Sequence, residues 1–370
     1  MVSISLCMIV RDEEHTLGRC LDSVAGVADE IFVVDTGSVD GTKAVAESHG
    51  ARVVDYPWGD DFAAARNYSF GQATKDYMLW LDADDVVLPE DRAKLLHLKE
   101  TLDPGVDVVS MDYHIAFDGA GNPINSVRRW RLVRRDSDFR WVGVVHEDLE
   151  PGGEFTYRDS DIVVTHRKPR GEGGPSDRNL RIYDKHVAAG LPMRPVDLFH
   201  YGRELQQHQR FDEAIPDHRQ FLESPGVGTD LALFTLHNLA SCYYRTGQPD
   251  KEWECTLRSL DYDVPRPEFA CRFGERFLNR GQYQQAAFWY ELALRDADAP
   301  VDAWSVQNFP YQTWLPHKQL GLCYYQLGDY RRSLFHNEAA RQYLPEDAEI
   351  ASNIELLESL IAEGQAAAAP

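Results

Sequence analysis

Tyr77-Met78-Leu79-Trp80-Leu81 runs without interruption into Asp82-Ala83-Asp84-Asp85, and Pro89 closes the segment. A short apolar run bounded by a breaker is the pattern of a buried strand in a parallel sheet. Such strands present functional groups at their carboxyl ends, in the crevice where open α/β sheets bind ligands. Three carboxylates crowded there repel one another unless a cation sits among them. A hard divalent ion that also carries phosphate oxygens is the usual remedy, because magnesium-like ions take one or two carboxylates plus substrate phosphates. A solvated acidic turn after a strand is the plainer alternative.

The chain around this stretch has 370 residues, long for a single core, so two domains are expected. Its formal charge of −22 argues against a nucleic-acid or anionic-membrane partner. An anionic nucleotide would need local cations or a metal to approach it. The six cysteines include no C-x-x-C pair, and Cys7, Cys242 and Cys323 lie in apolar or helical patterns. Buried free thiols, and hence a reducing cytoplasm, are the expectation. The apolar N-terminal run meets Arg11-Asp12-Glu13-Glu14 at once and reads as a first strand rather than a signal peptide. No run approaches the roughly 20 apolar residues of a membrane span, so a soluble protein is expected.

The elements that must position the acids follow in order. Ile4 to Val10 reads as a strand and Arg11 to Glu14 as the opening of a helix with apolar Leu17, Cys20, Leu21 and Val24. Ile31 to Val34 is a second strand ending at Asp35, followed by a Gly-, Ser- and Asp-rich turn into a helix from Thr42 to His49. Arg52 to Asp55 is a third strand, and Asp61 to Ala73 a helix carrying Arg66 and Asn67. Alternation of this kind predicts a doubly wound, mostly parallel sheet. Val106 to Met111 and Tyr113 to Phe117 read as strands leading to a Gly-rich turn at 118–122. Arg128 to Arg135 is dense in cations, either a solvated edge strand or a cationic wall beside a diphosphate or acceptor.

SLCMIVRDEE, VVDTGSVDGT, ARNYS and LWLDADD, in that order, resemble the successive motifs of family-2 glycosyltransferases of the GT-A fold, nucleotide-sugar enzymes. The resemblance covers roughly the first 170 residues and is closest to a bacterial branch with K-N-E-E, D-T-G-S-x-D-G-T, L-D-A-D-D and H-E motifs. It implies that Val10, Arg11, Glu13 and Asp35 hold the nucleobase and ribose. It also implies that Arg66, Asn67, Asp82, Ala83, Asp84 and Trp141 line the donor site. An aspartate can accept the imide N–H of uracil, and an arginine can neutralise a diphosphate. Arg11-Asp12 stands where the branch more often has Lys-Asn. No G-x-G-x-x-G or Walker loop is present.

In the resembled branch the segment Trp141-Val142-Gly143-Val144-Val145-His146-Glu147 faces the donor. A direct displacement needs a base for the acceptor proton, and Glu147 is the candidate, with His146 orienting it or standing in for it. A surface His-Glu pair is the alternative. His166, at the end of the strand Ile162 to Thr165, is expected to complete a Mn²⁺ or Mg²⁺ site with Asp82 and Asp84. A surface histidine is the alternative there.

Residues 167–178 read as a flexible connection that could close over a donor. Beyond it, Gly274, Phe277, Gly281, Ala286, Tyr290 and Ala293 match Gly321, Tyr324, Gly328, Ser333, Asn337 and Ala340 in spacing. Ala240, Tyr243 and Gly247 form a third copy, and Gly202, Leu205 and Ala214 a fourth. The pattern resembles tetratricopeptide repeats, helix pairs that stack into a curved solenoid. The expected organisation is a GT-A domain at 1–170, a linker and connecting helix at 171–194, helical repeats at 195–362 and a disordered tail at 363–370. An insert is expected around 296–309.

The function these readings favour is an inverting, metal-dependent transfer of sugar from a nucleoside-diphosphate donor, a UDP-sugar by preference. The acceptor is a peptide, protein or saccharide, and two protomers could pair through the repeats. The rivals are a repeat scaffold with an inactive nucleotide-binding domain, and a nucleotidyltransferase. The latter would want a basic Gly-rich loop where Arg11 to Glu14 stands.

Overall fold

The structure, a computed structural model, describes residues 1–118, 121–167, 177–295 and 307–368. Most of the expected linker and insert, the centre of the expected turn at 118–122 and the last two residues lie outside these. Two compact units emerge. The first is Met1–Ile115 with Val127–Gln209, and the second Ala116–Ser126 with Arg210–Pro370.

In the first unit, β1 (Ile4–Val10), β2 (Glu30–Asp35), β3 (Arg52–Asp55) and β4 (Tyr77–Trp80) run parallel in the order β3-β2-β1-β4. Their registers bring Val10 beside Asp35 and Asp35 beside Asp55. The crossovers are α1 (Leu17–Ser23), α2 (Thr42–Ser48) and α3 (Phe62–Phe70). Asp61 caps α3 by accepting the Ala64 N–H at 2.9 Å, as its place before the apolar run predicts. The first helix begins at Leu17, later than the acids at 11–14 predicted. Asp12 takes a left-handed φ of +54°, which breaks the helical path there.

After the acid cluster, β5 (Asp85–Val87) is followed by α4 (Pro89–Thr101), with Pro89 at the first helical position. The sheet continues through β6 (Val108–Phe117), β7 (Pro123–Arg134) and β10 (Tyr157–His166), giving β4-β7-β6-β10-β5 beyond β1. The two stretches expected on either side of Asp112 form the single strand β6. The arginine-rich strand β7 lies between β4 and β6, not at an edge, and pairs antiparallel with β4. A separate hairpin joins β8 (Phe139–Val142) to β9 (Asp148–Pro151). Ile4, Leu6, Met8, Val33, Leu79 and Leu81 are almost fully buried in the main core. The unit also includes α5 (Asp177–Ala188) and α6 (Pro195–Gln207). It therefore extends beyond residue 194, where the sequence suggested a boundary.

The second unit runs through α7 (Phe211–Leu222), α8 (Thr229–Arg245), α9 (Pro249–Arg258), α10 (Pro267–Leu278), α11 (Tyr283–Arg295), α12 (Trp314–Gln326), α13 (Tyr330–Tyr343) and α14 (Ala348–Ala368). Successive helices pack on one another along the series, as repeat architectures do. A methyl added at Gly274 would lie 2.8 Å from the Tyr290 ring, and one at Gly321 would lie 2.5 Å from the Asn337 amide. These are equivalent contacts in the two matching copies. Gly247, Gly281 and Gly328 turn the chain between paired helices at φ of +69°, +70° and +77°. A short strand, β11 (Gln307–Asn308), pairs with Asn125 and Ser126 of the same unit. The expected tail is helical as far as Ala368. Among the described residues, no helix is long and apolar enough to cross a membrane.

Candidate active site

The parallel strands β1, β2 and β4 end on one rim of the sheet, and the sequence sets charges there. The Asp35 carboxylate is buried and accepts the Gly37 and Ser38 N–H groups at 3.1 and 3.0 Å through Oδ2. Its Oδ1 has no hydrogen-bond partner among the described residues. Burial alone would raise this carboxyl, but the hydrogen bonds from Ser38 and Gly37 outweigh it and hold the group below the usual carboxylate range. Val10 is buried, and its carbonyl accepts both the N–H and the hydroxyl of Thr36. Arg11 is exposed beside Asp12, and the Glu13 N–H donates to Thr42.

Past Leu81 the chain turns. The Asp82 N–H donates to Asp85 Oδ2 at 3.0 Å, so Asp85 folds back under the turn and becomes fully buried. Antiparallel pairing of β5 with β10 sets Asp85 directly opposite His166. The Arg167 N–H donates to the Asp84 carbonyl at 2.8 Å and extends that pairing. His166 Nδ1 consequently lies 3.3 Å from Asp84 Oδ1, 3.6 Å from Asp85 Oδ1 and 3.0 Å from the Tyr113 hydroxyl. Burial would lower the imidazole, but the two carboxylates prevail and push it up to about 9. Among the described residues these three side chains form a group whose donor atoms lie within 4.8 Å of one another.

The structure thus gathers Asp84 and His166 with Asp85, whereas Asp82 turns to Arg66. Arg66 Nη2 donates to Asp82 Oδ1 at 2.7 Å and Nε donates to Glu147 Oε1. The guanidinium also lies over Trp80 and Trp141, 4.9 and 5.0 Å from the ring centroids. Burial would raise the Asp82 carboxyl, but Arg66 overrides it and keeps Asp82 below its ordinary range. Ala83 is buried within the turn. Asn67 pairs with the backbone of Trp141 through both ends of its amide, at 2.8 and 3.0 Å. The Trp141 ring packs against Phe70 and Trp80 and is 4% exposed. Asn67 and Trp141 therefore anchor β8 on α3.

Glu147 ends the loop between β8 and β9. His146, next to it, adopts a φ of +51° and does not orient Glu147 directly. Its Nε2 lies 2.5 Å from Glu204 Oε1, and its ring stacks on His200 at 4.6 Å.

Several participants were not singled out from sequence. Arg131 is completely buried with its Nη1 3.1 Å from Asp85 Oδ2, and it lies over the Trp80 and Tyr113 rings. Its neighbours in the arginine-rich strand are also paired, Arg128 with Asp112 and Arg129 with Asp148. Alternation along β7 was the available signal, since it places Arg131 on one face with Arg129 and Val133 and turns Trp130 and Leu132 to the other. Arg178, at the start of α5, feels Glu147, Asp82 and Glu13. Its burial lowers the guanidinium against the pull of those acids. Its only sequence signal was its place at the end of a charged connection.

Residues 5–164 match the family described as Glycosyl transferase family 2. A TPR repeat-containing protein of Synechococcus elongatus is 51% identical over 331 residues, covering 88% of this chain and 74% of its own. The chain belongs to glycosyl transferase family 2. Two named glycosyltransferases are more distant relatives of this enzyme. The SPbeta prophage-derived glycosyltransferase SunS of Bacillus subtilis is 26% identical over 223 residues, 58% of this chain and 51% of that one. The enzyme thus spans about half of that relative's length. The lipopolysaccharide core biosynthesis glycosyltransferase LpsC of Rhizobium meliloti is 30% identical over 159 residues, 40% of this chain and 58% of that one. Family membership agrees with the mostly parallel sheet, and the first relative's name agrees with the helical second unit.

Proposed function

We propose that this family 2 glycosyltransferase moves a sugar from a UDP-sugar to a peptide or protein acceptor by one inverting displacement, in the presence of Mn²⁺ or Mg²⁺. The observation that carries the reading is the convergence of Asp84, Asp85 and His166 at the sheet rim. Two carboxylates and one imidazole suit manganese or magnesium. Asp85 Oδ1 is buried with no hydrogen-bond partner among the described residues, an acceptor that a cation would satisfy. Asp84, Asp85 and His166 would hold the ion, which supplies charge neutralisation for the leaving diphosphate.

The chain's own residues do the rest. The unpartnered Oδ1 of Asp35 can accept the uracil imide N–H, with Val10, Arg11 and Glu13 around the base and ribose. Arg66 offers a cation to the diphosphate from its place over Trp80 and Trp141. Glu147 takes the proton of the acceptor nucleophile as that atom bonds to the anomeric carbon and the bond from the anomeric carbon to the diphosphate breaks. The second unit supports a polypeptide acceptor. Exposed Phe288 and Phe335, on α11 and α13, give it apolar surface for an extended chain or for a second protomer. A saccharide acceptor is the second reading, favoured by the likeness to LpsC. All six cysteines are free and buried, which suits a reducing compartment such as the cytoplasm.

Calorimetric titration of UDP with manganese and with chelator tests the donor site. Tight binding is expected only with the metal, and Asp84→Ala should weaken it by ~100-fold or more. Equal affinity in chelator would refute the metal role. Failure to release UDP from any of several UDP-sugars would refute the donor.

A further inference from the structure

The loop between β8 and β9 is held by helices that the sequence assigned to a linker and to the repeats. Tyr183, on α5, donates its hydroxyl to the Val145 carbonyl at 3.1 Å. The Phe62 N–H of α3 donates to the Val144 carbonyl at 3.0 Å. Gly143 has a φ of +109°, and a side chain there would meet Arg194 Nη2 at 2.6 Å. The most demanding position is His146. A non-glycine residue in the left-handed region crowds its Cβ against the following carbonyl oxygen, so its φ of +51° persists only because its surroundings hold it.

Those surroundings are a carboxylate and a ring from α6. Glu204 is 3% exposed and accepts from His146 Nε2 at 2.5 Å, while Asn179 Nδ2 donates to the same oxygen at 3.2 Å. His200 stacks on the His146 ring with an interplanar angle of 18°. A buried carboxylate without this partner would be strongly penalised. The pair therefore fixes the imidazole and the backbone on which Glu147 follows.

We infer that Glu204 is a positioning residue for the transfer: through His146 it holds the β8–β9 loop so that Glu147 stands ready as the base. The inference rests on the proposed reaction. It makes α6 part of the catalytic unit in function as well as in packing. Glu204 touches neither the metal cluster nor the candidate base, so its influence must pass through His146.

The test compares wild type, Glu204→Ala, Glu204→Gln, His146→Ala and the His146→Ala/Glu204→Ala double variant. The measurements are manganese-dependent turnover of UDP-glucose, UDP-N-acetylglucosamine and UDP-galactose, UDP affinity by calorimetry, and hydrogen exchange in residues 143–148. Glu204→Ala should lower kcat at least tenfold with UDP affinity within twofold, and quicken exchange in 143–148 but not in β1 or β4. Glu204→Gln, which keeps an acceptor oxygen, should recover much of kcat. The double variant should be no worse than His146→Ala. An Ala variant with kcat within twofold of wild type, or losses that simply multiply in the double variant, would overturn the inference. If Ala fails to fold, the Gln variant decides: wild-type exchange and a full kcat support the hydrogen-bond role, and loosened exchange with unchanged kcat overturns it. Wild type that turns over none of the donors would instead sink the proposed reaction, and this inference with it.

Discussion

In the first unit the interior is crossed by ions: Arg131 and Asp85 are both fully buried, and Arg66 spans Asp82 and Glu147. In the second, the interior is set by small residues pressed against larger ones, Gly274 under Tyr290 and Gly321 against Asn337. The contrast separates two ways of specifying structure. A buried ion pair is position-specific, because removing one member leaves the other charged and unsolvated. Stacked helix pairs depend on nearest neighbours, so a fault weakens one interface. The unit that does chemistry takes the first course, since a reaction on a diphosphate needs fixed charges in a dry place.

Four measurements would break or sharpen that contrast, the largest effect first. Glu147→Gln is expected to lower transfer by ~10²–10⁴-fold, the usual worth of a general base, with UDP affinity little changed. Transfer at wild-type rate would show that charge at this position serves packing alone. Arg131→Met strands Asp85 in the core and should cost the first unit about 3–5 kcal/mol in denaturant unfolding. The double change Arg131→Met/Asp85→Leu should recover most of that stability while losing metal-dependent UDP binding. Gly274→Ala should cost about 1–3 kcal/mol by overpacking. Hydrogen exchange should place that loss around α10 and α11, with α3 and β1 unaffected.

The smallest effect is a pH dependence in the second unit. His336 is held neutral by burial, with His317 and Arg332 adding to the effect, and its imidazole is pushed down to about 4. His317 Nδ1 lies 2.9 Å away and Tyr324 stacks on the ring. The unfolded chain takes up a proton near the ordinary histidine value while the folded one does not, so stability falls as pH drops below that value. Between about pH 7 and 5.5 the part of the loss due to His336 should be roughly 1 kcal/mol. That part should disappear in His336→Gln, as read by urea unfolding of the second unit, leaving the parts due to His237 and His317, whose imidazoles burial also pushes down.

Much of this was legible in the chain. Strands β2 and β4 announced themselves as apolar runs that stop at acids and β1 as one that stops at Arg11, and the Gly and Tyr offsets announced the repeats. The distribution of roles among Asp82, Asp84 and Asp85 was not legible. Strand β4 ends at Trp80, and a turn then decides which acid faces Arg66 and which folds back beneath the turn. Arg131 read as one of several cations in a solvated edge strand or a cationic wall, because only pairing on both sides of β7 buries it. Helix α6 carries the same apolar periodicity as the repeat helices, and its bond to His146 joins residues 58 apart in sequence. No local pattern records such a contact. His146 was legible as chemistry but not as geometry, since nothing in Val145-His146-Glu147 announces a left-handed residue.

The glycines beneath Tyr290 and beside Asn337 also govern shape over a longer range. Helix spacing at those two crossings is set by atoms that are not there. A single extra methyl would wedge one pair open, and because successive helices pack on one another, the tilt would be handed to the next pair. Part of the pitch of the stack is thus written at two α-carbons, and a surface displayed on it would be displaced by a change buried beneath it.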